Sequence, residues 1–202
     1  TVGQLQSNVV YRCLVVAVNS AGLTSDVVAS DGWTFDDTHP VGGTVVDSIH
    51  HVASTWGSRH PNNGPAVHTR LDADLTPDDS RLVVEWAGFF DEEYEQDGLQ
   101  SYEVGVGACD DLQGFDVDGV LTMFDMGLNT SRDFARNVRN DGSCEWEFMA
   151  SASCHLPHNS TWCAVVRAQN THGLWGPRRR SDGIRVCTAG PIAGTVSDGL
   201  SP

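Results

Sequence analysis

The chain contains an internal repeat, and this feature constrains its fold more than any other. Residues 11–51 align without gaps onto residues 162–202, at an offset of 151, and 13 of the 41 aligned positions are identical. The identities fall in three blocks, V-x-A-x-N-x-x-G-L, S-D-G and P-x-x-G-T-V-x-D. We therefore predict the C-terminal part of one repeat at 1–40, a complete repeat at 41–190 and the start of a third at 191–202.

Both copies of the repeat open with a segment that has the pattern of a β-strand. Residues 11–19 and 162–170 are rich in branched residues and end in Asn-x-x-Gly turns. No window of ten or more residues carries a clean helical stripe. We predict further strands at Arg81–Trp86, Ser101–Val106, Val120–Phe124, Trp146–Ser151 and Gly183–Val186. Short strands separated by turn residues favour an all-β chain with an antiparallel sandwich architecture.

Three segments carry a family resemblance: R-L-V-V-E-W-A-G-F-F-D from Arg81, S-Y-E-V-G-V-G from Ser101 and W-C-A-V-V-R-A-Q-N-T-H-G-L from Trp162. With the S-D-G and G-T-V-S-D-G blocks, they resemble a fibronectin type III-like (Ig-like) repeat. This version of the repeat is common in tandem arrays of large extracellular and cell-surface proteins, including those of algae and other protists. The resemblance implies tandem antiparallel β-sandwiches and implies no chemistry.

The resemblance also implies roles for aromatic residues. Trp86 matches the tryptophan of the family's second strand, which fills the core between the sheets. Tyr11 stands where the family has a corner tyrosine whose hydroxyl ties down the preceding loop. Trp162 takes that place in the second copy, so the tie there would need the indole N–H.

The repeat period exceeds the ~100 residues of a typical sandwich module. We place the excess in two insertions, at 48–80 and 107–142, which are rich in Gly, Asp, Asn and Pro. Long insertions on a rigid sandwich are where binding usually occurs, and decorated mobile loops have the same composition. Both interpretations stay open.

The cysteines and sequons indicate an oxidising compartment. The disulfide candidates are Cys13, Cys109, Cys144, Cys154, Cys163 and Cys187. Five of them belong to the complete repeat, and this odd number makes a bond to another module or chain plausible, for example through Cys187. N-glycosylation sequons begin at Asn129 and Asn159, so glycans are expected partners. We predict an extracellular or cell-surface location.

The chain is strongly acidic, with 27 Asp and Glu against 12 Lys and Arg and a formal net charge of −15. This charge disfavours nucleic acid as a partner, because phosphate binding needs a basic face. No run approaches the ~20 apolar residues of a membrane span, so we expect no direct membrane insertion of this segment. The motifs G-x-S-x-G and H-E-x-x-H and phosphate-binding glycine loops are absent, and we predict no catalytic residues.

Calcium is the one cofactor that the sequence suggests. Its predicted ligands are Asp91, Glu93, Glu95 and Asp97, because Ca²⁺ prefers carboxylate and carbonyl oxygens. The twelfth position of such a loop would be Val104 and no helices flank it, which excludes an EF-hand. A solvated acidic loop is the alternative. Zinc at Cys154, His155, His158 and Cys163 would compete with disulfide formation by the same cysteines.

A basic run, Arg178, Arg179 and Arg180, stands out in this acidic chain. The alignment places it in the loop between the last two strands of the complete repeat. An arginine-rich tip there is a candidate for docking onto an acidic loop of a neighbouring module. Cleavage by a protease that recognises basic residues and a solvated loop are the alternatives.

These observations favour a structural role. We predict a glycosylated segment of a long extracellular protein that assembles into a filament, wall or surface coat, through contacts with neighbouring repeats or chains. A mastigoneme-type glycoprotein of the ciliary surface is one concrete example, by resemblance. The rival hypothesis is the ectodomain of an adhesion receptor or channel-associated protein, with the insertions as its ligand face. The opening T-V-G-Q-L has no signal segment, and we expect a longer parent protein.

Overall fold

The structure is a computed structural model that describes residues 4–48, 72–94, 98–112, 121–148, 153–192 and 194. Its strands are β1 (Val9–Tyr11), β2 (Leu14–Val15), β3 (Val28–Ala29), β4 (Trp33–Phe35), β5 (Thr44–Ser48), β6 (Leu75–Thr76), β7 (Arg81–Ala87), β8 (Leu99–Ala108), β9 (Phe124–Asp125), β10 (Ser131–Ala135), β11 (Asn137–Val138), β12 (Cys144–Glu145), β13 (Thr161–Asn170), β14 (Arg179–Arg180) and β15 (Ile184–Val186). A 3-10 helix covers Cys109–Leu112. The prediction of a nearly all-β chain is confirmed.

Two sheets contribute to one hydrophobic core. The first sheet has the strand order β10-β7-β5, and the second has the order β6-β15-β13-β8-β9, with β14 also paired to β13. Trp86 and Phe134 of the first sheet and Val104 and Val166 of the second belong to the same buried cluster. This arrangement fits a β-sandwich, in which the inner faces of two sheets interdigitate.

Alternation along β7 explains how its residues form the core face. Leu82, Val84 and Trp86 point to the shared core, as every second residue of a strand must. The antiparallel register places Val45 of β5 opposite Trp86, and Phe134 of β10 opposite Leu82. Trp86 is fully buried and packs edge-on against a tyrosine of β8, which agrees with its predicted place in the core.

Three of the predicted strands overlap observed ones closely: those at Arg81, Ser101 and Gly183. The prediction at Trp146–Ser151 was wrong over its described part, because the chain turns at 147–148 instead of continuing β12. The strand Ser131–Ala135 was missed. The described residues contain no helix with the length and hydropathy of a membrane span.

The two copies of the repeat, residues 8–35 (the first copy) and 159–186 (the second copy), fold into the same local structure. Their strand registers coincide at the 151-residue offset; the matching pairs are Val10–Thr34 with Thr161–Arg185, Tyr11–Trp33 with Trp162–Ile184, Leu14–Ala29 with Val165–Arg180, and Val15–Val28 with Val166–Arg179. Both copies also place an asparagine and two glycines at positive φ: Asn8, Gly22 and Gly32 with Asn159, Gly173 and Gly183.

The turns of the two copies agree hydrogen bond for hydrogen bond. In the first copy the Asn19 side-chain Oδ1 accepts the N–H groups of Ala21 and Leu23. In the second copy Asn170 Oδ1 accepts those of His172 and Leu174. An asparagine that accepts backbone N–H groups in this way fixes a turn, which explains why it is one of the identical positions.

The environments of the two copies differ completely. In the second copy β13 pairs along its length with β8, and its core face is buried. In the first copy the described residues offer no such partner, and large apolar side chains are exposed on both faces: Val9, Val10, Leu14, Val15, Val16, Val18, Leu23, Val27, Val28 and Trp33.

Candidate functional site

The structure pairs four of the six cysteines. One disulfide joins Cys109 to Cys163, 54 residues apart, and a second joins Cys144 to Cys154, 10 residues apart. Cys13 is exposed and Cys187 half-buried, and both are free thiols. The bridges use the thiols that a Cys–His zinc site would have needed as thiolates. A bond from Cys187 to another module or chain remains a prediction.

The Cys109–Cys163 bridge lies beside one block of the repeat, S-D-G, in the second copy. Cys163 points away from the main core but is buried, because the 3-10 helix places Leu112 over it. At Gly183 an added Cβ would lie 2.6 Å from Cys109 Sγ and 2.8 Å from Cys163 Sγ, and the residue has a φ of +104°. Only glycine fits both the backbone and the space. The last glycine of the S-D-G block therefore lets the chain pass beside the bridge.

Both sequon asparagines are exposed. Asn129 follows a turn and its Nδ2 donates to the Met126 carbonyl, at 3.0 Å. Asn159 adopts a positive φ, and its Oδ1 accepts a hydrogen bond from the Arg185 guanidinium. Glycosylation at either position remains a prediction.

The arginine run does not lie at the tip of a free loop, because its last two residues form the short strand β14. Arg179 and Arg180 form β14 and pair with Val166 and Val165 of β13. The Arg179 side chain passes over Gly42 so closely that an added Cβ there would collide with its Nε. Arg180 Nη1 donates to a backbone carbonyl of the 3-10 helix, at 3.3 Å. Arg179 and Arg180 thus contact neighbouring parts of the same chain, and docking to a neighbouring module remains a prediction.

Of the predicted calcium ligands, Asp91 and Glu93 lie at the junction with the chain segment that follows the first copy. Asp91 is fully buried; its Oδ1 accepts the Glu93 N–H at 3.1 Å, and its Oδ2 accepts Asn170 Nδ2 at 3.1 Å. Glu95 and Asp97 lie outside the described residues. The described members are therefore committed to hydrogen bonds, and calcium binding stays a prediction.

We call the residues Asp91, Glu93, Tyr94, Asn170 and His172 the joint surface, because the chain that leaves the first copy is bound to them. Asn170 Nδ2 donates to Asp36 Oδ2 at 2.9 Å and lies 3.2 Å from the Thr38 carbonyl. His172 Nδ1 lies 3.0 Å from the same Asp36 oxygen. Asn170 and Asp91 are wholly buried, so these hydrogen bonds are shielded from water.

Further contacts extend the junction on both sides. The Thr38 hydroxyl lies 2.7 Å from Asp36 Oδ1 and 2.5 Å from Glu93 Oε2. The Tyr94 hydroxyl lies 3.4 Å from Asn8 Oδ1 in the first copy. His39 Nδ1 lies 2.9 Å from the Trp175 carbonyl. The connection is therefore held by side chains from both neighbours.

A second carboxylate group was not predicted. Asp47, Asp72 and Asp182 each bring one oxygen within 4.8 Å of the others, and among the described residues they form the one group with metal-ligand spacing. Asp47 is buried, its Oδ2 accepts the Gly183 N–H at 3.0 Å, and Asp72 Oδ1 accepts the Asp47 N–H at 2.9 Å. Through the hydrogen bond from Gly183 to Asp47, the group joins strand β5 to the segment before β15.

Burial favours the protonated form of two carboxyls in this group. Burial raises the pKa of Asp47 to about 7, against opposing hydrogen bonds from Ser181 and Gly183. Burial also raises the pKa of Asp72, and the negative charge of Asp182 adds to it. A sequence signal existed, since Asp47 and Asp182 both lie in identical blocks of the repeat. What the sequence did not reveal is that these blocks meet.

No protein-family model matches the chain, and no curated protein matches it.

Proposed function

We propose that the chain is a structural segment of a long extracellular glycoprotein, built from tandem fibronectin type III-like sandwiches that assemble into a filament, wall or surface coat. The proposal depends on one observation: the two copies of the repeat have the same local structure, but only the second is buried. Val166 is fully buried, whereas its counterpart Val15 is 64% exposed. The apolar residues that form a core in the second copy recur in the first. This recurrence supports a sandwich around the first copy too.

The chemistry of the chain is consistent with an extracellular role. Two disulfides suit an oxidising compartment, since such bonds are rare in reducing ones. Both sequon asparagines are accessible on the surface. Buried polar contacts at the joint surface favour a stiff connection between modules over a free linker, and stiff connections favour rods.

The test is electron microscopy of the parent protein, isolated from its source without reduction. Ordered filaments or layers with a regular axial repeat are the expected result. Single flexible strands would contradict the structural role and favour the adhesion ectodomain, and the ligand search would then turn to the two insertions.

A further inference from the structure

Four side chains from residues 8–39 contact the joint surface or the adjoining Trp175 carbonyl. These are Asn8, which faces Tyr94; Asp36, which faces Asn170 and His172; Thr38, which faces Glu93; and His39, which faces the Trp175 carbonyl. Asp36 comes directly after the last strand of the first copy, so it marks the end of that copy.

The repeat alignment identifies the residues that occupy the same four places at the end of the complete repeat. They are Asn159, Cys187, Ala189 and Gly190. Cys187 lacks the carboxylate of Asp36, Ala189 lacks a hydroxyl and Gly190 lacks an imidazole. Asn159 keeps the amide, but its Oδ1 already accepts a hydrogen bond from the Arg185 guanidinium. The first copy has Thr34 at the position of Arg185 and therefore lacks this contact. Every group that contacts the joint surface has thus changed or is occupied.

The scaffold around these places has not changed. Asn19 and Asn170 fix identical turns, and the strands of both copies share one register. Asn8 and Asn159 share a positive φ and the same backbone hydrogen bond, to Phe35 and Val186, and the last strands of both copies lead directly to Asp36 and Cys187. The copies therefore begin the connection from the same local structure, while the side chains at the four places differ. Such a combination is expected where interfaces of one shape must discriminate among partners.

We propose that the joint surface is a recognition site for one class of repeat end. Its partner is a β-sandwich end that presents an aspartate directly after its last strand and a hydroxyl two residues later. The end of the complete repeat lacks both groups, so it would pair with a following repeat whose contact residues differ from those of the joint surface. Consecutive repeats are thereby joined in a fixed order. This inference rests on the proposed tandem array and specifies how its members select their neighbours.

A transplant of side chains tests the proposal. In the full 202-residue chain, Asp36→Ser, Thr38→Ala and His39→Gly together give the first junction the groups that follow β15, with serine in place of cysteine. We expect amide hydrogen exchange in residues 36–42 and 89–94 to become about tenfold faster or more, because buried hydrogen bonds are lost. Asp37→Ser, at the exposed neighbouring position, is the matched control and should change nothing. Unchanged exchange in the triple variant would overturn the proposal.

A second variant separates recognition from folding. Asn170→Asp keeps an oxygen for the turn but replaces the Nδ2 group, which donates hydrogen bonds to Asp36 and Asp91, by an oxygen that repels both carboxylates. Exchange in 36–42 should rise about tenfold while the amides of the Asn170 turn stay protected. The same substitution at Asn19, whose turn has no junction in the described residues, should leave 36–42 unchanged. Equal effects of the two substitutions would overturn the proposal. Electron microscopy of the parent tests the array itself, so a failure of either idea can be recognised separately.

Discussion

The first and second copies of the repeat, residues 8–35 and 159–186, show how much of a β-structure is local. Turn asparagines, positive-φ glycines and strand register are the same in both, although one copy is exposed and the other is buried. The two copies therefore differ in burial and agree in the backbone pairing of their hairpins. The core determines what the hairpins contribute to stability, because burial of apolar area is the main favourable term in folding.

The largest expected effect compares two tryptophans. Trp86 is fully buried between the sheets, and Trp33 of the first copy is 48% exposed. Trp86→Ala should lower the free energy of unfolding by about 3–5 kcal/mol, as for other buried tryptophans. Trp33→Ala should cost under about 1 kcal/mol in this chain. Urea denaturation measures both.

The same pair of substitutions in the intact parent sharpens the comparison. If upstream strands complete a sandwich around the first copy, Trp33→Ala should become as costly there as a core truncation. A small effect in both settings would mean that the first copy is not part of a sandwich.

The next effect concerns the bridge that only the second copy has. Arg12 stands in the first copy where Cys163 stands in the second. Replacing Cys109 and Cys163 by serine should reduce stability by roughly 2–4 kcal/mol, because the bridge closes a long loop. Cys13→Ser and Cys187→Ser, at free thiols, are the controls and should leave the melting temperature unchanged. Equal melting temperatures for all variants would show that the bridge does not form.

The sequence predicted the strands whose residues alternate and missed those that do not. β7 and β13 have clear patterns, whereas Ser131–Ala135 contains one buried apolar residue, Phe134. Arg132 of that strand instead lays its guanidinium over the Phe124 and Phe134 rings. Because a charged arginine, and not an apolar residue, covers these aromatic rings, the strand lacks the alternation of apolar residues by which strands are predicted.

Site residues were predictable to the extent that they act locally. The sequons and the acidic loop could be identified from adjacent residues. By contrast, Asp47 and Asp182 are 135 positions apart, and only the pairing of strands brings them together. The buried junction around Asn170 was hidden for the same reason, since its residues come from four separate parts of the chain, at 8, 36–39, 91–94 and 170–175.

The third prediction concerns the carboxylate group of Asp47, Asp72 and Asp182. Of these three, the first copy has a counterpart only of Asp182, at Asp31. The pKa of Asp47 is about 7 in the folded chain, above its ordinary value of 3.8. Between these values the folded state binds more protons than the unfolded state, so stability falls as pH rises. Between pH 5 and pH 8 the loss should be on the order of 2 kcal/mol.

Urea denaturation at a series of pH values measures this loss. Asp47→Asn should reduce the slope of the profile, because it removes the buried carboxyl whose pKa is about 7, while Asp72, whose pKa is also raised, still titrates. Asp31→Asn, at the exposed first-copy counterpart of Asp182, should leave the slope as it is. A profile with the same slope in the Asp47 variant would contradict the assignment.

The smallest effect distinguishes the two aromatic residues that open the copies. Tyr11 Oη accepts the Gln6 N–H at 2.7 Å, and Trp162 Nε1 donates to Ser160 Oγ at 2.8 Å. Both rings thus hold the segment before their strand, one as an acceptor and the other as a donor. Tyr11→Phe should cost about 1 kcal/mol or less, the net value of one hydrogen bond, and should accelerate exchange of the Gln6 amide. Ser160→Ala removes the partner of Trp162 and should loosen the second copy to a similar degree. If neither substitution changes exchange in the preceding segment, the rings act through packing alone.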